Sequence, residues 1–217
     1  MRVNKILSLQ NDLALALAAA PIRIEAPVPG RSMVGIEVPN DARTLVGLRG
    51  VLESPAFRQM PSSLRIALGR DVSGAPVVAD LASMPHLLIA GATGTGKSIC
   101  LNALIVSLLF QNTPEQLRLL LVDPKRVELT RYNGIPHLIA PAVVDVEKVV
   151  AALRWTVREM ENRYREFART GARNLSVYNK GALQRGQAPL PLIVVVIDEL
   201  ADLMLASPEE VERTICR

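Results

Sequence analysis

Residues 87–98 read Leu-Leu-Ile-Ala-Gly-Ala-Thr-Gly-Thr-Gly-Lys-Ser. The last eight, Gly91 to Ser98, fit G-x-x-x-x-G-K-[ST], the loop that cradles phosphate. The apolar run Leu87 to Ala90 leads in and a helical pattern, Ile99 to Phe110, leads out. Strand, loop and helix in that order is the setting in which the motif carries meaning. The N–H groups of Gly94, Thr95, Gly96 and Lys97 are expected to turn inward at the helix N-terminus, where they hold phosphate oxygens. Glycine is required because a Cβ would block both the tight loop and the close approach of phosphate. The predicted nucleotide-binding residues are therefore Gly91, Ala92, Thr93, Gly94, Thr95, Gly96, Lys97 and Ser98, and the ligand is a nucleoside triphosphate.

A phosphate loop alone implies binding; hydrolysis needs a second motif. Leu192-Ile-Val-Val-Val-Ile197-Asp198-Glu199 supplies it as an apolar strand ending in two acids, the Walker B pattern. Such a strand buries itself in a sheet and presents its acids at the carboxyl edge, where the phosphate loop also lies. Asp198 is expected to hold Mg²⁺ through water and Ser98 to ligate it directly, since magnesium takes hard oxygens and keeps several waters. Glu199 is then placed to orient or deprotonate the attacking water, and Lys97 to neutralise the β- and γ-phosphates. Glu199 and Lys97 are the predicted catalytic residues. A further apolar run, Leu117 to Val122, reads as a strand buried on both faces. With Leu87–Ala90 and Leu192–Ile197 it is expected to form the parallel centre of one sheet, whose carboxyl ends gather Gly94–Ser98, Asp123 and Asp198–Glu199. Asp123-Pro124-Lys125-Arg126 ends that strand. Lys125 and Arg126 either touch phosphate or a neighbouring subunit, or are the solvated charges of a proline turn. His86 and His137 have no ligand spacing, so Mg²⁺ is the one metal implied.

The rest of the chain divides in two by texture. Residues 1 to about 62 are rich in proline. They read as a helix over Val3–Ala19, short extended pieces over Ile22–Ala26 and Val34–Val38, and a short helix at Leu48–Leu52. From residue 63 the pattern becomes α/β. Arg65–Leu68 and Pro76–Ala79 read as a hairpin across Asp71-Val72-Ser73-Gly74. The clearest helix covers Asp145 to Arg169. Its stripe is Val146, Val149, Val150, Leu153, Val157, Met160, Tyr164 and Phe167, with Asp145 as N-cap and Gly171 as C-cap. Its other face carries charges of alternating sign, read as a solvated face with Glu159–Arg163 and Glu161–Arg165 pairs. Residues 172–187 look irregular or briefly helical. Pro208 to Arg213 opens another helix, with proline and acids in its first turn. The sequence ends before that helix has a stop signal and is read as ending at a fragment boundary.

Composition narrows the classes. The chain has 217 residues, half of them hydrophobic (49%), with aromatics at only 3%, so aliphatic side chains must fill the core. Its 25 basic and 21 acidic residues leave a net charge of +4, which permits a nucleic-acid partner without requiring one. No run of 18 apolar residues occurs and the N-terminus lacks a signal-peptide stretch. Cys100 and Cys216 are too few for a disulfide framework, and Cys100 is expected to be a small buried hydrophobe. The cytoplasm is the expected compartment.

Several segments in combination resemble the FtsK/SpoIIIE family of double-stranded DNA translocases. They are Asn11–Asn40, Met84–Ser98 (MPHLLIAGATGTGKS), Leu121–Leu129 (LVDPKRVEL), Met160–Tyr164, Ala172–Asn179 and Val194–Met204 (VVVIDELADLM). The resemblance implies a RecA-like P-loop ATPase domain, a mostly parallel sheet with helices on both faces, preceded by a small α+β adaptor. Residues 1–62 would be the adaptor and 63–217 the motor domain, truncated at its C-terminal end. It implies ATP and Mg²⁺ as cofactors, double-stranded DNA as partner and a homo-hexameric ring. It further implies a role in clearing chromosomes through the division septum. Thr95 stands where the family often has Ser. The trans-acting arginine, sensor strand, DNA-gripping loops and winged-helix module would lie beyond Arg217, and a membrane anchor before Met1. Two other functions remain open at this point: a ring ATPase that moves protein in a secretion system, and a truncated module that holds nucleotide without doing work. The stretch at 11–40 favours the DNA translocases over the secretion motors.

Overall fold

A computed structural model describes residues 3–19, 21–40, 42, 44–92 and 94–217. The chain forms two compact units, residues 1–58 with 69–77, and residues 59–68 with 78–217.

The first unit begins with two short helices, α1 (Val3–Leu7) and α2 (Gln10–Ala16), where one helix was expected. The break is local. Ser8 Oγ donates to the Lys5 carbonyl at 3.0 Å, and the Leu9 N–H reaches back only three residues, to Ile6. Both bonds tighten the turn at the point where a helix would continue. Antiparallel strands β1 (Arg23–Glu25) and β2 (Gly35–Glu37) follow, paired Arg23 to Glu37 through Glu25 to Gly35. Helix α3 covers Leu48–Leu52 as the sequence indicates. Helix α4 (Pro55–Gln59) was not anticipated, although its signal is plain: Ser54 Oγ accepts the Phe57 N–H at 3.2 Å and Pro55 occupies the first turn. Ile22, Val51, Leu52 and Phe57 are buried.

Strands β3 (Arg65–Arg70) and β4 (Pro76–Asp80) pair as the expected hairpin. Its turn is organised by Asp71, whose carboxylate accepts from Ser73 N, Ser73 Oγ and Ala75 N. These bonds, Ser73 Oγ foremost, hold the Asp71 carboxyl below its ordinary value.

The second unit is built around β5 (Leu117–Val122), which follows α5 (Lys97–Gln111). Strand β6 (Leu192–Ile197) runs parallel to β5, in register from Leu117–Leu192 to Val122–Ile197. On its other edge β5 meets parallel bridges at Leu138 and Val143. With both edges paired, β5 is buried along nearly its whole length. The sheet separates two apolar clusters. On one face Leu117, Leu119 and Leu121 pack with Leu101, Leu104, Ile105 and Leu108 of α5. On the other, Val122 packs with Val149 and Leu153 of α6 (Val146–Thr170), Leu203 of α8 (Leu200–Ala206) and Val211 of α9 (Pro208–Ile215). Side chains alternate across a strand, so one run of apolar residues serves both layers. Helix α7 (Leu175–Gln184) lies between α6 and β6 in the chain and starts at Asn174, whose side chain accepts the Val177 N–H.

Several expectations need correction. Residues 87–90 form no strand; Leu88 is 77% exposed. A strand exists through hydrogen bonds to a neighbour, and no neighbour to this run occurs among the described residues. Strand β6 is only partly buried, with Val196 its one buried residue. In the α6 stripe Val149 and Leu153 alone are fully buried, and Tyr164 is exposed. Asp145 occupies the N-cap position but its side chain makes no cap bond: Lys148 Nζ (2.7 Å) and Arg126 Nη2 (3.1 Å) hold it instead. Glu159–Arg163 forms at 2.7 Å, whereas Glu161 pairs with Arg217 and Arg165 turns to Asn162. Cys100 is half-buried rather than buried.

Candidate nucleotide-binding site

Because β5 and β6 share their register, they end together, and Asp123 and Asp198 emerge side by side at the carboxyl edge. The Asp198 N–H donates to the Val122 carbonyl at 3.0 Å, which extends the ladder by one residue. The two aspartates then behave differently. Asp123, fully buried, accepts from the backbone N–H groups of Val127, Glu128, Leu129 and Thr130 at 3.3, 3.1, 2.8 and 3.2 Å. Its carboxylate therefore organises the loop after β5. Asp198 is also buried, yet its Oδ1 has no hydrogen-bond partner among the described residues. Burial pushes the Asp198 carboxyl above its ordinary value. Lys97 opposes that shift, and Asp123, Glu128 and Glu199 add to it. A shielded acceptor without a donor costs about 1–3 kcal/mol, so this atom is poised for a cation or a donor.

Lys97, in the first turn of α5, reaches across to the end of β6. Its Nζ donates to Glu199 Oε2 at 2.8 Å and to the Asp198 carbonyl at 3.2 Å. Each partner shifts the other: the bond to Glu199 raises Lys97, and the bond to Lys97, helped by Lys125, lowers Glu199. Three predicted site residues, Lys97, Asp198 and Glu199, are thus in one cluster although about a hundred residues separate them in sequence.

The phosphate loop turns sharply ahead of this cluster. Gly94 and Gly96 have φ of 82° and 101°, the left-handed region that a side chain disfavours. Gly96 is the N-cap of α5. Gly91 and Ala92 are exposed, and Ser98 is half-buried in the first helical turn. Thr95 departs from the expected inward cradle, since both its N–H (3.1 Å) and its Oγ1 (2.7 Å) donate to the Ala92 carbonyl. Thr93 lies outside the described residues.

The site also includes Asp202, Asn102 and Tyr132, which the sequence reading did not single out, and Lys125, for which it left two readings open. Lys125 Nζ stands 3.7 Å from Glu199 Oε2 and 3.4 Å from Asp202 Oδ2. Of the two readings of the Asp-Pro-Lys-Arg turn, Lys125 thus belongs to the site edge, while Arg126 pairs away from it with Asp145. Asn102 Nδ2 donates to the Ser98 carbonyl at 2.8 Å and its Oδ1 accepts the Tyr132 hydroxyl at 2.6 Å, which ties the first turns of α5 to the loop that Asp123 organises.

Comparison with known proteins now bears on this geometry. The model of the FtsK/SpoIIIE family matches residues 47–217, and that of the FtsK alpha domain matches residues 1–40. The chain belongs to the FtsK/SpoIIIE family. It is 54% identical to "DNA translocase FtsK" of Caldanaerobacter subterraneus subsp. tengcongensis over its whole length, and covers 30% of that relative. It is 52% identical to "DNA translocase SftA" of Bacillus subtilis, of which it covers 23%. The chain thus spans under a third of the length of these FtsK/SpoIIIE relatives. Among solved structures, the pCW3 conjugation coupling protein TcpA with ATPγS matches all of the chain with a TM-score of 0.62 at 24% identity, over 58% of that protein. The cytoplasmic domain of the Type VII secretion ATPase EccC of Thermomonospora curvata matches 69% of the chain with a TM-score of 0.58 at 28% identity, over 19% of that protein. The fold is that of the P-loop, RecA-like ATPases. Among the described residues no helix is long and apolar enough to cross a membrane.

Proposed function

We propose that this chain is the nucleotide-binding core of an ATP-driven motor that moves double-stranded DNA. The observation that carries this reading is the identity above 50%, over the entire chain, to relatives named DNA translocases. The likeness to a secretion ATPase is weaker, at 28% over 69% of the chain, and supports that alternative less well. Residues 1–62 are read as the adaptor and 63–217 as motor. A ring of six copies around DNA, and a membrane anchor elsewhere in the protein, belong to the same reading.

In this mechanism Lys97 exchanges Glu199 for the β- and γ-phosphates when ATP enters, because a polyanion offers its ammonium more charge than one carboxylate. The exchange frees Glu199 to orient the attacking water and accept its proton. Magnesium, where bound, would neutralise phosphate oxygens. The orphaned Asp198 Oδ1 fits it as a hard oxygen ligand, with Ser98 Oγ as the second. No group of three or more His, Cys, Asp or Glu side chains placed to hold a metal occurs among the described residues.

The test is ATP turnover by the full-length protein with and without duplex DNA. Glu199→Gln is expected to lower kcat by about 10² to 10⁴ with ATP still bound. Lys97→Ala is expected to weaken binding or abolish turnover. Parent-like turnover in both variants would overturn the assignment.

A further inference from the structure

One oxygen, Glu199 Oε2, is approached by two ammonium groups from different elements: Lys97 of α5 at 2.8 Å and Lys125 of the loop after β5 at 3.7 Å. The geometry points to Lys125 as a positioning residue that takes over Glu199 when nucleotide claims Lys97.

Three features support this. Lys125 is presented by an anchored loop: four consecutive N–H groups just after it, Val127 to Thr130, are fixed by the buried Asp123 carboxylate. The neighbouring Arg126, with a left-handed φ of 60°, is held on Asp145. The base of the Lys125 side chain is therefore fixed, while the side chain itself is about half exposed and its ammonium reaches two carboxylates. Second, Asp202 Oδ2 lies 3.4 Å from the same ammonium. Glu199 is the N-cap of α8 and Asp202 lies in its first turn, and both carboxylates reach the Lys125 ammonium. Asp202 thus keeps Lys125 beside Glu199 while the shorter bond belongs to Lys97. Third, Lys97 cannot serve a γ-phosphate and keep its 2.8 Å bond to Glu199 without drawing that carboxylate towards a like charge. Once Lys97 turns to phosphate, Lys125 is the cation left within ion-pair reach of Glu199 among the described residues. The Ala201 N–H also reaches the Glu199 carboxylate, but only Lys125 then adds the opposite charge that holds it against the neighbouring Asp198 and Asp202.

This inference rests on the reading of Glu199 as the water-orienting group, and the experiment separates the two. The full-length protein is assayed for steady-state ATP turnover on duplex DNA, and for equilibrium binding of a fluorescent ATP analogue. Lys125→Met and Lys125→Gln are each expected to lower kcat by about 10- to 100-fold, the cost of a misaimed catalytic group, with the Kd for the analogue within about twofold of the parent. Lys125→Arg should recover most of the rate. In a Glu199→Gln background, Lys125→Met should cause no further loss, since Lys125 acts through Glu199. A parent-like kcat in Lys125→Met and Lys125→Gln overturns the inference. So does weakened analogue binding with kcat retained, which would make Lys125 a phosphate contact. A full further loss in the Glu199→Gln background also overturns it. A parent-like rate in Glu199→Gln itself would instead remove the reading of Glu199.

Discussion

Leu87–Ala90 and Leu117–Val122, the second apolar but for Arg118, both stand ahead of a functional loop, yet only the second is a strand. Strand β5 has hydrogen-bonded neighbours on both edges, from β6 and from the stretch at 138–143. The run at 87–90 has none among the described residues, and its side chains stay partly or largely exposed. An apolar run states that a segment is suited to burial; a strand also requires someone to pair with. The difference carries over to the site. The acids after β5 and β6 sit at fixed positions because their strands are locked in register, whereas the phosphate loop is reached through a segment without a ladder.

Substitution can break or sharpen that comparison. The largest effect is expected from Leu119→Ala. This side chain is fully buried between α5 and the sheet, and its truncation should destabilise the chain by about 2–5 kcal/mol, read as a shift in the denaturant midpoint. A cost below about 1 kcal/mol would mean that β5 is not the core of the unit. Asp123→Ala comes next. It strips the acceptor from four backbone N–H groups and should cost about 1–3 kcal/mol, with faster proteolysis within residues 124–130. Unchanged proteolysis there would mean that the loop holds its shape without the carboxylate. The smallest effect belongs to Leu88→Ala. At 77% exposure it should change the stability of the 217-residue chain by less than about 0.5 kcal/mol. If the same substitution in the full-length protein costs as much as Leu119→Ala, residues 87–90 acquire a pairing partner outside the described residues.

What was legible in the sequence follows the range of the interaction. The helix at 146–170, with Gly171 as its cap, is a local pattern and is present. So are the Asp71 turn and the Pro208 helix start. That 117–122 and 192–197 are parallel strands of one sheet was legible, whereas their direct pairing and register were not. Legibility failed where local rules had a rival. Asp145 fits an N-cap, but Lys148 and Arg126 offer its carboxylate opposite charge. Residues 172–187 stay open between irregular and briefly helical by sequence, and the ten-residue helix capped by Asn174 bears out the second reading. Across the fold, the motifs brought Lys97 to Asp198 and Glu199, but contacts outside the motifs were not legible. Neither Lys125 with Asp202 nor Asn102 with Tyr132 has a spacing that links the partners, since the sheet brings them together.

Besides the ion pairs of Arg154 and Glu161, helix α6 has two anchors that reach other parts of its unit. Near its start, Val149 and Leu153 sit in the cluster with Leu203 and Val211. Near its end, Arg163 Nη1 donates to the Pro191 carbonyl at 2.6 Å and Phe167 meets the Tyr178 ring at 5.3 Å. A helix turns about 100° and advances about 1.5 Å with each residue. One residue inserted between Leu153 and Arg163 would rotate one anchor away from its partners while the other held. The ten-residue interval is therefore a fixed length in this chain, a ruler cut to size, in which side chains on the outer face can be exchanged freely but the count cannot. Insertions belong instead beyond Gly171, where the helix has already ended.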